Sequence, residues 1–321
     1  MRVPESSLSA SAARLGLIFM STTVIFWGVM PIALKLSAEF IDPVTLTWFR
    51  FGVAFVVTLL QQWLLGGLQQ FAQLRRRDWL KLALAALLLI GNYVSFVFAL
   101  KYLAPGTVQL NFQTSSFFLA LGGVLFFGER FSRMQLLCFS ALAIGMLLFF
   151  NPFLSGASGS GKILIGVAIV QLSVISWVSY ALLQKSLGRR LSPANVLLFI
   201  YGFALPVLLP FSDISQFYHM HTEQWWIAIF CAVSTLVAYG CFGQAMKYWP
   251  AAQVGALMAL TPVLSFAATD LVVQLGWWRD SFAATSLNLL SQTGVVLIVL
   301  SVMLVQLLPH WQQRQRRCQQ N

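Results

Sequence analysis

The chain has 321 residues, 59% of them hydrophobic and only 9% charged, with a mean hydropathy of +0.79. Soluble domains run near a quarter charged, so this composition excludes an ordinary globular enzyme. The net charge of +11 invites a nucleic-acid reading, which depends on where the cations sit.

A helix needs about 20 apolar residues to cross the hydrocarbon core. Runs of that kind predict ten spans: 15–36, 44–65, 79–100, 105–127, 134–150, 163–185, 195–211, 225–246, 251–275 and 286–308. The runs are continuous rather than alternating and exceed barrel-strand length, which argues against a β-barrel. The first run reads as a span, being too long for the apolar region of a cleaved signal peptide. Pro43, Pro105, Pro193 and Pro250 open or precede helices. Residues 155–161 contain only Gly, Ala and Ser, a flexible linker that falls midway. The expected fold is an all-α polytopic membrane protein, with 1–14 and 309–321 as cytoplasmic tails.

If odd-numbered spans leave the cytoplasm, 15 basic residues lie inside, among them Arg75, Arg76, Arg77, Arg189, Arg190 and Arg314. Only Lys35, Lys101, Lys162 and Arg279 lie outside. This asymmetry over short loops puts both termini in the cytoplasm and is explained by topology and anionic lipid. The basic runs lack interleaved aromatics, so no nucleic-acid partner is expected. A bacterial inner membrane is the expected location.

Self-similarity is the most informative signal. Residues 16–59 align with 166–209 at a constant offset of 150, with eleven of 44 positions identical. Apolar bias alone would give roughly four or five. The matches include Trp27/Trp177, Lys35/Lys185, Pro43/Pro193 and Gly52/Gly202. A second block at offset 146 pairs Trp79/Trp225, Tyr93/Tyr239, Lys101/Lys247 and Tyr102/Tyr248. The chain therefore reads as two five-span repeats, 15–150 and 163–308. Five is odd, so the second enters the membrane inverted. Inverted copies can exchange conformations and open a central site alternately to each side. Duplication as simple enlargement is the competing explanation.

Polar groups in hydrocarbon face protein or water. Span 6 carries Ser173, Ser176, Trp177, Tyr180 and Gln184 on one face; span 9 carries Gln253, Thr261, Ser265 and Thr269 in steps of four. Span 4 carries Asn111, Thr114 and Ser115 on one face and Gln109, Gln113 and Ser116 on another; span 3 adds Asn92, Ser95 and Tyr93, and span 1 adds Thr23, Trp27 and Pro31. Tyr239 is the span 8 partner of Tyr93. The residues expected to line a substrate cavity are Trp27, Asn92, Asn111, Ser115, Trp177, Tyr180, Tyr239, Thr261 and Ser265. For any single Ser or Thr, helix–helix contact is the plainer role.

Charges inside the spans are few; Arg50 lies about two turns into span 2, and Asp270 lies near the outer end of span 9. Both lie in the outer half, where they could pair across a closed gate or simply snorkel to the interface. Asp270 is also the carboxylate best placed to carry a coupling proton. No Ser/His/Asp set, HExxH or phosphate-binding Gly loop is present. Cys138, Cys231, Cys241 and Cys318 have no metal-ligand spacing, so neither catalysis, a metal nor a cofactor is expected.

Phe26-Trp27-Gly28 with Lys35, and Trp48-Phe49-Arg50-Phe51, resemble the opening of an EamA-family repeat. So do Ala99-Leu100-Lys101-Tyr102-Leu103-Ala104, Thr114-Ser115 and Gly128-Glu129-Arg130-Phe131-Ser132. That family belongs to the drug/metabolite transporter superfamily. The resemblance implies ten helices, inverted pseudo-symmetry, a central cavity and export of amino acids or other metabolites. Thr261-Pro262 keeps the family's fourth-helix proline, whereas Ser115-Ser116 replaces it in the first half. The expected function is a permease for a small organic solute working by alternating access. A passive pore of the same fold and a membrane enzyme on lipid-linked substrates are the alternatives. Lipid, the solute, a proton and a second copy of the chain are the candidate partners.

Overall fold

The computed structural model describes residues 10–99, 102–103, 105–128, 133–149, 151, 161–188, 190–278, 288–301 and 304. Most of the 155–161 linker, Glu129, Arg130, Lys101, Arg279 and the basic tail lie outside the described residues. Among those described, all regular structure is helical. The helices are α1 (Ala10–Ser37), α2 (Pro43–Leu64), α3 (Arg76–Ala99), α4 (Pro105–Phe112), α5 (Thr114–Phe127) and α6 (Arg133–Phe149). They continue with α7 (Gly161–Leu187), α8 (Pro193–Leu208), α9 (Thr222–Tyr248), α10 (Ala251–Met258) and α11 (Thr261–Gln274). A short apolar helix, α12 (Leu289–Ser301), follows.

Among the described residues, seven helical stretches are long and apolar enough to cross a membrane, with α10 and α11 counted as one. Thr114–Phe127, Leu136–Phe149 and Leu289–Ser301 are shorter apolar helices. The outward faces carry large apolar side chains, including Leu64, Leu125, Phe126, Leu164 and Leu172, as a lipid-facing surface requires.

The helix ends follow from local chemistry. Asp42 caps α2 by accepting from the N–H groups of Val44 at 2.9 Å and Thr45 at 3.1 Å, with Pro43 supplying a preset φ. Ser192 caps α8 in the same way ahead of Pro193. Gly128, at φ +66°, closes α5 in the left-handed region that side chains disfavour.

The expected continuous span over 105–127 is two helices meeting at Gln113, and the expected 251–275 span breaks at Ala259–Leu260. The first is a correction to the sequence reading; the second falls just before Pro262, within a stretch that still counts as one apolar span, Ala251–Gln274. Pro262 has no N–H for the Met258 carbonyl. At the first break, the Thr114 hydroxyl donates to the Asn111 carbonyl at 2.8 Å, and Gln171 Nε2 from α7 donates to the same oxygen at 3.3 Å. Side chains there satisfy a carbonyl that the helix ladder would otherwise use. Hydropathy does not register either interruption, because the residues on both sides stay apolar.

The main helix contacts are α1 on α9, α3 on α7, α2 on α8 and α5 on α10. Their details recur at the two sequence offsets. The Thr23 hydroxyl donates to the Ala238 carbonyl at 3.2 Å, and the Ser173 hydroxyl donates to the Asn92 carbonyl at 3.1 Å. A Cβ on Gly16 would strike the Trp249 indole, and one on Gly166 would strike Leu103 and Tyr102. Glycine is needed at both places because a neighbouring helix end lies against the backbone.

Each end of the bundle is tied by a loop from the far half. Gln216 Oε1 accepts from the Asp42 N–H at 2.8 Å, and the Asp213 N–H donates to Thr45 Oγ1 at 2.7 Å. At the opposite end Gln70 Oε1 accepts from the Ser192 N–H at 2.7 Å and from Asn195 Nδ2 at 3.0 Å. Asn195 Nδ2 also donates to the Gly67 carbonyl at 2.8 Å. Asp42/Ser192 and Thr45/Asn195 are 150 apart, and Gln70/Gln216 and Gly67/Asp213 are 146 apart. Arg190 adds an ion pair to Asp78 at the second end. Gln216→Ala is expected to speed amide hydrogen exchange over residues 42–45 by about tenfold, the loss of one hydrogen bond. Exchange over 192–195 should not change, and Gln70→Ala should show the reverse pattern. Acceleration at both ends in either variant would mean that the ties are not separate.

Candidate functional site

Between the two tied ends, α1, α2, α3, α4, α7, α9 and the α10–α11 break enclose a cavity of about 690 Å³, its open mouth included. Trp27, Met30, Pro31 and Leu34 line it from α1, and Asn92, Tyr93, Phe96 and Val97 from α3. Gln109, Phe112 and Gln113 come from the first break; Met258 and Thr261 flank the second. Arg50, Trp177 and Tyr239 complete the wall. Pro31, inside the continuous α1, has no N–H for the Trp27 carbonyl beside the cavity.

A smaller pocket formed by Ser37, Ile41, Pro43 and Thr47 shares Leu34, Arg50 and Val97 with the main one. It carries the space toward the α1–α2 loop. In the other direction the interior is packed. Trp177, Tyr180, Phe242 and Met20 are fully buried there. Trp249 Nε1 donates to the Ala13 carbonyl at 3.2 Å, and Phe19 stacks on Tyr248 with centroids 6.0 Å apart. Among the described residues, the space therefore extends toward the α1–α2 loop and is closed on the opposite side.

Aromatic rings build its floor. Trp27 meets Trp177 edge-on at 5.7 Å, and Tyr93 meets Tyr239 at 5.7 Å. Each pair joins residues that match at an offset, so the matched positions face one another. Trp27 also contacts Tyr239 at 5.3 Å and Phe242 at 5.5 Å. Such edge and tilted pairs fix ring orientation more firmly than aliphatic contacts do.

Of the residues expected at the site, Trp27, Asn92, Trp177, Tyr239, Thr261 and Arg50 line the cavity. Asn92 is also a strut, since its Nδ2 donates to Ser173 Oγ at 2.8 Å and ties α3 to α7. Asn111, Ser115, Tyr180 and Ser265 are not among the lining residues. Asn111 serves the α4–α5 break, while Ser115, Tyr180 and Ser265 are buried between helices. Arg50 and Asp270 are not brought together. Asp270 is exposed and accepts from Gln274 Nε2 at 2.7 Å, away from the cavity.

Tyr93, Gln109 and Gln113 join the wall with a polar signal that the sequence carried. Met30, Leu34, Val97 and Met258 join it with none, because an apolar residue in an apolar helix gives no hint of its neighbour. At the mouth end, Asp213 lies in the α8–α9 loop. The Ser215 hydroxyl donating to its carboxylate, with the Ser215 N–H and Gln216 amide, holds that carboxyl below the usual range. The described residues hold no cluster of His, Cys, Asp and Glu suited to a metal.

Comparison with known proteins follows the same outline. The model of the EamA-like transporter family matches twice, over residues 14–151 and 164–307. An uncharacterized inner membrane transporter of Escherichia coli, YhbE, is 33% identical over 305 residues, covering 91% of each chain. An uncharacterized transporter of Haemophilus influenzae is 28% identical over 300 residues, covering 92% of this chain and 97% of its own. A solved crystal structure of 18% identity shares the fold with a TM-score of 0.70, over 94% of this chain and 98% of that one. The chain belongs to the EamA-like transporter family and is a membrane transporter.

Proposed function

We propose that the chain is an inner-membrane permease in which two inverted five-helix halves, ten crossings in all, move a small organic solute by alternating access. Both termini lie in the cytoplasm, so the open side of the cavity faces outward in this conformation. The observation that carries the reading is the floor of the cavity. Trp27 and Trp177, and Tyr93 and Tyr239, meet there as offset-matched pairs. The breaks at Gln113 and Ala259 flank it and are themselves 146 apart. Discontinuous helices at the interface of inverted repeats are where transporters hold their solutes.

The matched ties at the two ends support exchange between states. Each tie joins one half to the other, and opening one while closing its counterpart would carry the mouth from one side to the other. The packed interior opposite the mouth argues against a continuous pore. The wall, aromatic and neutral apart from Arg50, suits an amphipathic organic solute rather than a bare inorganic ion.

The test is counterflow in proteoliposomes preloaded with members of a metabolite panel. Trans-stimulated, transient accumulation of labelled solute is expected. Flux that ignores solute on the far side would replace this reading with a passive pore. Chemical conversion of a solute in detergent, with no flux in liposomes, would replace it with an enzyme.

A further inference from the structure

Arg50 is only 4% exposed, yet it lines the cavity. Its Nε donates to Thr235 Oγ1 at 2.8 Å, and one Nη2 hydrogen reaches the Tyr93 hydroxyl at 3.5 Å. The guanidinium carbon also sits 4.8 Å from the centre of the Tyr93 ring. Both partner residues are neutral. A guanidinium has five N–H groups, so both Nη1 hydrogens and the second on Nη2 are left without an acceptor among the described residues. No carboxylate among the described residues pairs with Arg50. Asp42 caps α2, Asp270 binds Gln274, Asp78 binds Arg190, and among the described residues no acidic side chain lines the cavity.

A cation buried without a counter-charge is unfavourable, and it persists in a membrane protein where function demands it. The fold itself makes no such demand. The position matching Arg50 at the offset of 150 is Ile200, which is fully buried.

We propose that Arg50 is the anion anchor of the cavity, and that the solute is an organic monoanion, a carboxylate or similar oxyanion head on an apolar or aromatic body. This names the solute class for the site and so rests on the transport reading. One cation with no acid nearby balances one negative charge. A lipophilic cation would meet an uncompensated positive field, and a dianion would leave excess charge in a poorly hydrated site. Trp27, Phe96, Phe112 and Trp177 supply the wall for the body. Gln113 Oε1 and Thr261 Oγ1 line the same space, are buried and have no partner among the described residues, so they hold a neutral hydrogen-bonding group of the solute.

The test uses the full chain in detergent and three probes of one shape: 3-phenylpropionate, 3-phenylpropan-1-ol and 3-phenylpropylamine. At about pH 7.5 they are an anion, a neutral molecule and a cation. Equilibrium dialysis should show saturable binding of the acid, at least about tenfold weaker binding of the alcohol and weaker still of the amine. Inorganic phosphate should not compete, because it lacks the apolar body. Arg50→Leu should weaken acid binding roughly 30-fold and erase its advantage over the alcohol. Arg50→Lys should keep the acid preferred at lower affinity, which also covers the case in which the leucine variant fails to fold.

Equal binding of acid and amine overturns the proposal, as does unchanged acid affinity in a folded Arg50→Leu variant. So does the absence of saturable acid binding. Counterflow of labelled acid in proteoliposomes separates the two readings. Saturable, Arg50-dependent binding without flux keeps the anchor and sinks transport. Trans-stimulated flux of the amine with no acid binding keeps transport and sinks the anchor.

Discussion

Trp177→Ala is expected to lower stability by about 3 kcal/mol and to abolish saturable solute flux. Trp177 is 1% exposed and its ring contacts Phe242 at 5.1 Å, Trp27 at 5.7 Å and Phe112 at 5.9 Å. Truncation removes those contacts and leaves a void under the cavity floor. The expected cost sits at the low end of tryptophan truncations in soluble cores for a physical reason. In lipid the unfolded helix does not expose this side chain to water, so packing is lost but little hydrophobic transfer. Denaturant unfolding in micelles measures the stability, and counterflow measures the flux. Trp177→Phe should fall between wild type and the alanine variant in both. Wild-type stability and flux in the alanine variant would show that this ring neither supports nor lines the site.

Gly294→Ala is expected to destabilise by at least about 2 kcal/mol through overpacking. A Cβ at Gly294 would lie 2.4 Å from the Phe149 nitrogen, 2.6 Å from the Gly145 carbonyl oxygen and 2.8 Å from the Phe149 Cα. All three are backbone atoms, which cannot swing aside as a side chain can. α6 and α12 touch backbone to backbone here, the kind of close approach that small residues permit in membranes. The matching control is Gly240→Ala on α9, where an added Cβ meets nothing within 4 Å. That variant should be neutral or slightly more stable, because alanine is the better helix former. Thermal unfolding of both in the same detergent decides the matter. Equal midpoints for the two variants would rule out a tight α6–α12 contact.

The two glycines illustrate what a sequence can express. Gly240 and Gly294 both sit in predicted apolar spans, and neither is marked by its local sequence as the one that a neighbouring backbone approaches. Only the distance to another helix separates them. The same holds for the serines of span 4, where Ser115 and Ser116 are both buried between helices and neither lines the cavity. Helical periodicity puts residues on a face, but it does not say which neighbour that face meets. Arg50 and Asp270 make the point with charges. Both stand in predicted spans, yet one lines an aromatic cavity and the other is exposed beside Gln274.

The sequence by itself determined the solvent, the helical class and the positions of the apolar stretches, because a chain in lipid must be apolar outside and bonded within its own helices. It also carried the offsets of 150 and 146, since copied segments keep their spacing. Tertiary structure decided what those offsets mean in space. Trp27 finds Trp177, Tyr93 finds Tyr239, and Gln70 and Gln216 each tie the opposite half. It also broke two apolar runs beside the cavity, where a proline or a competing side chain removes a ladder bond without changing hydropathy. It left Arg50 with only neutral partners, a fact about contacts between distant segments that no local pattern encodes.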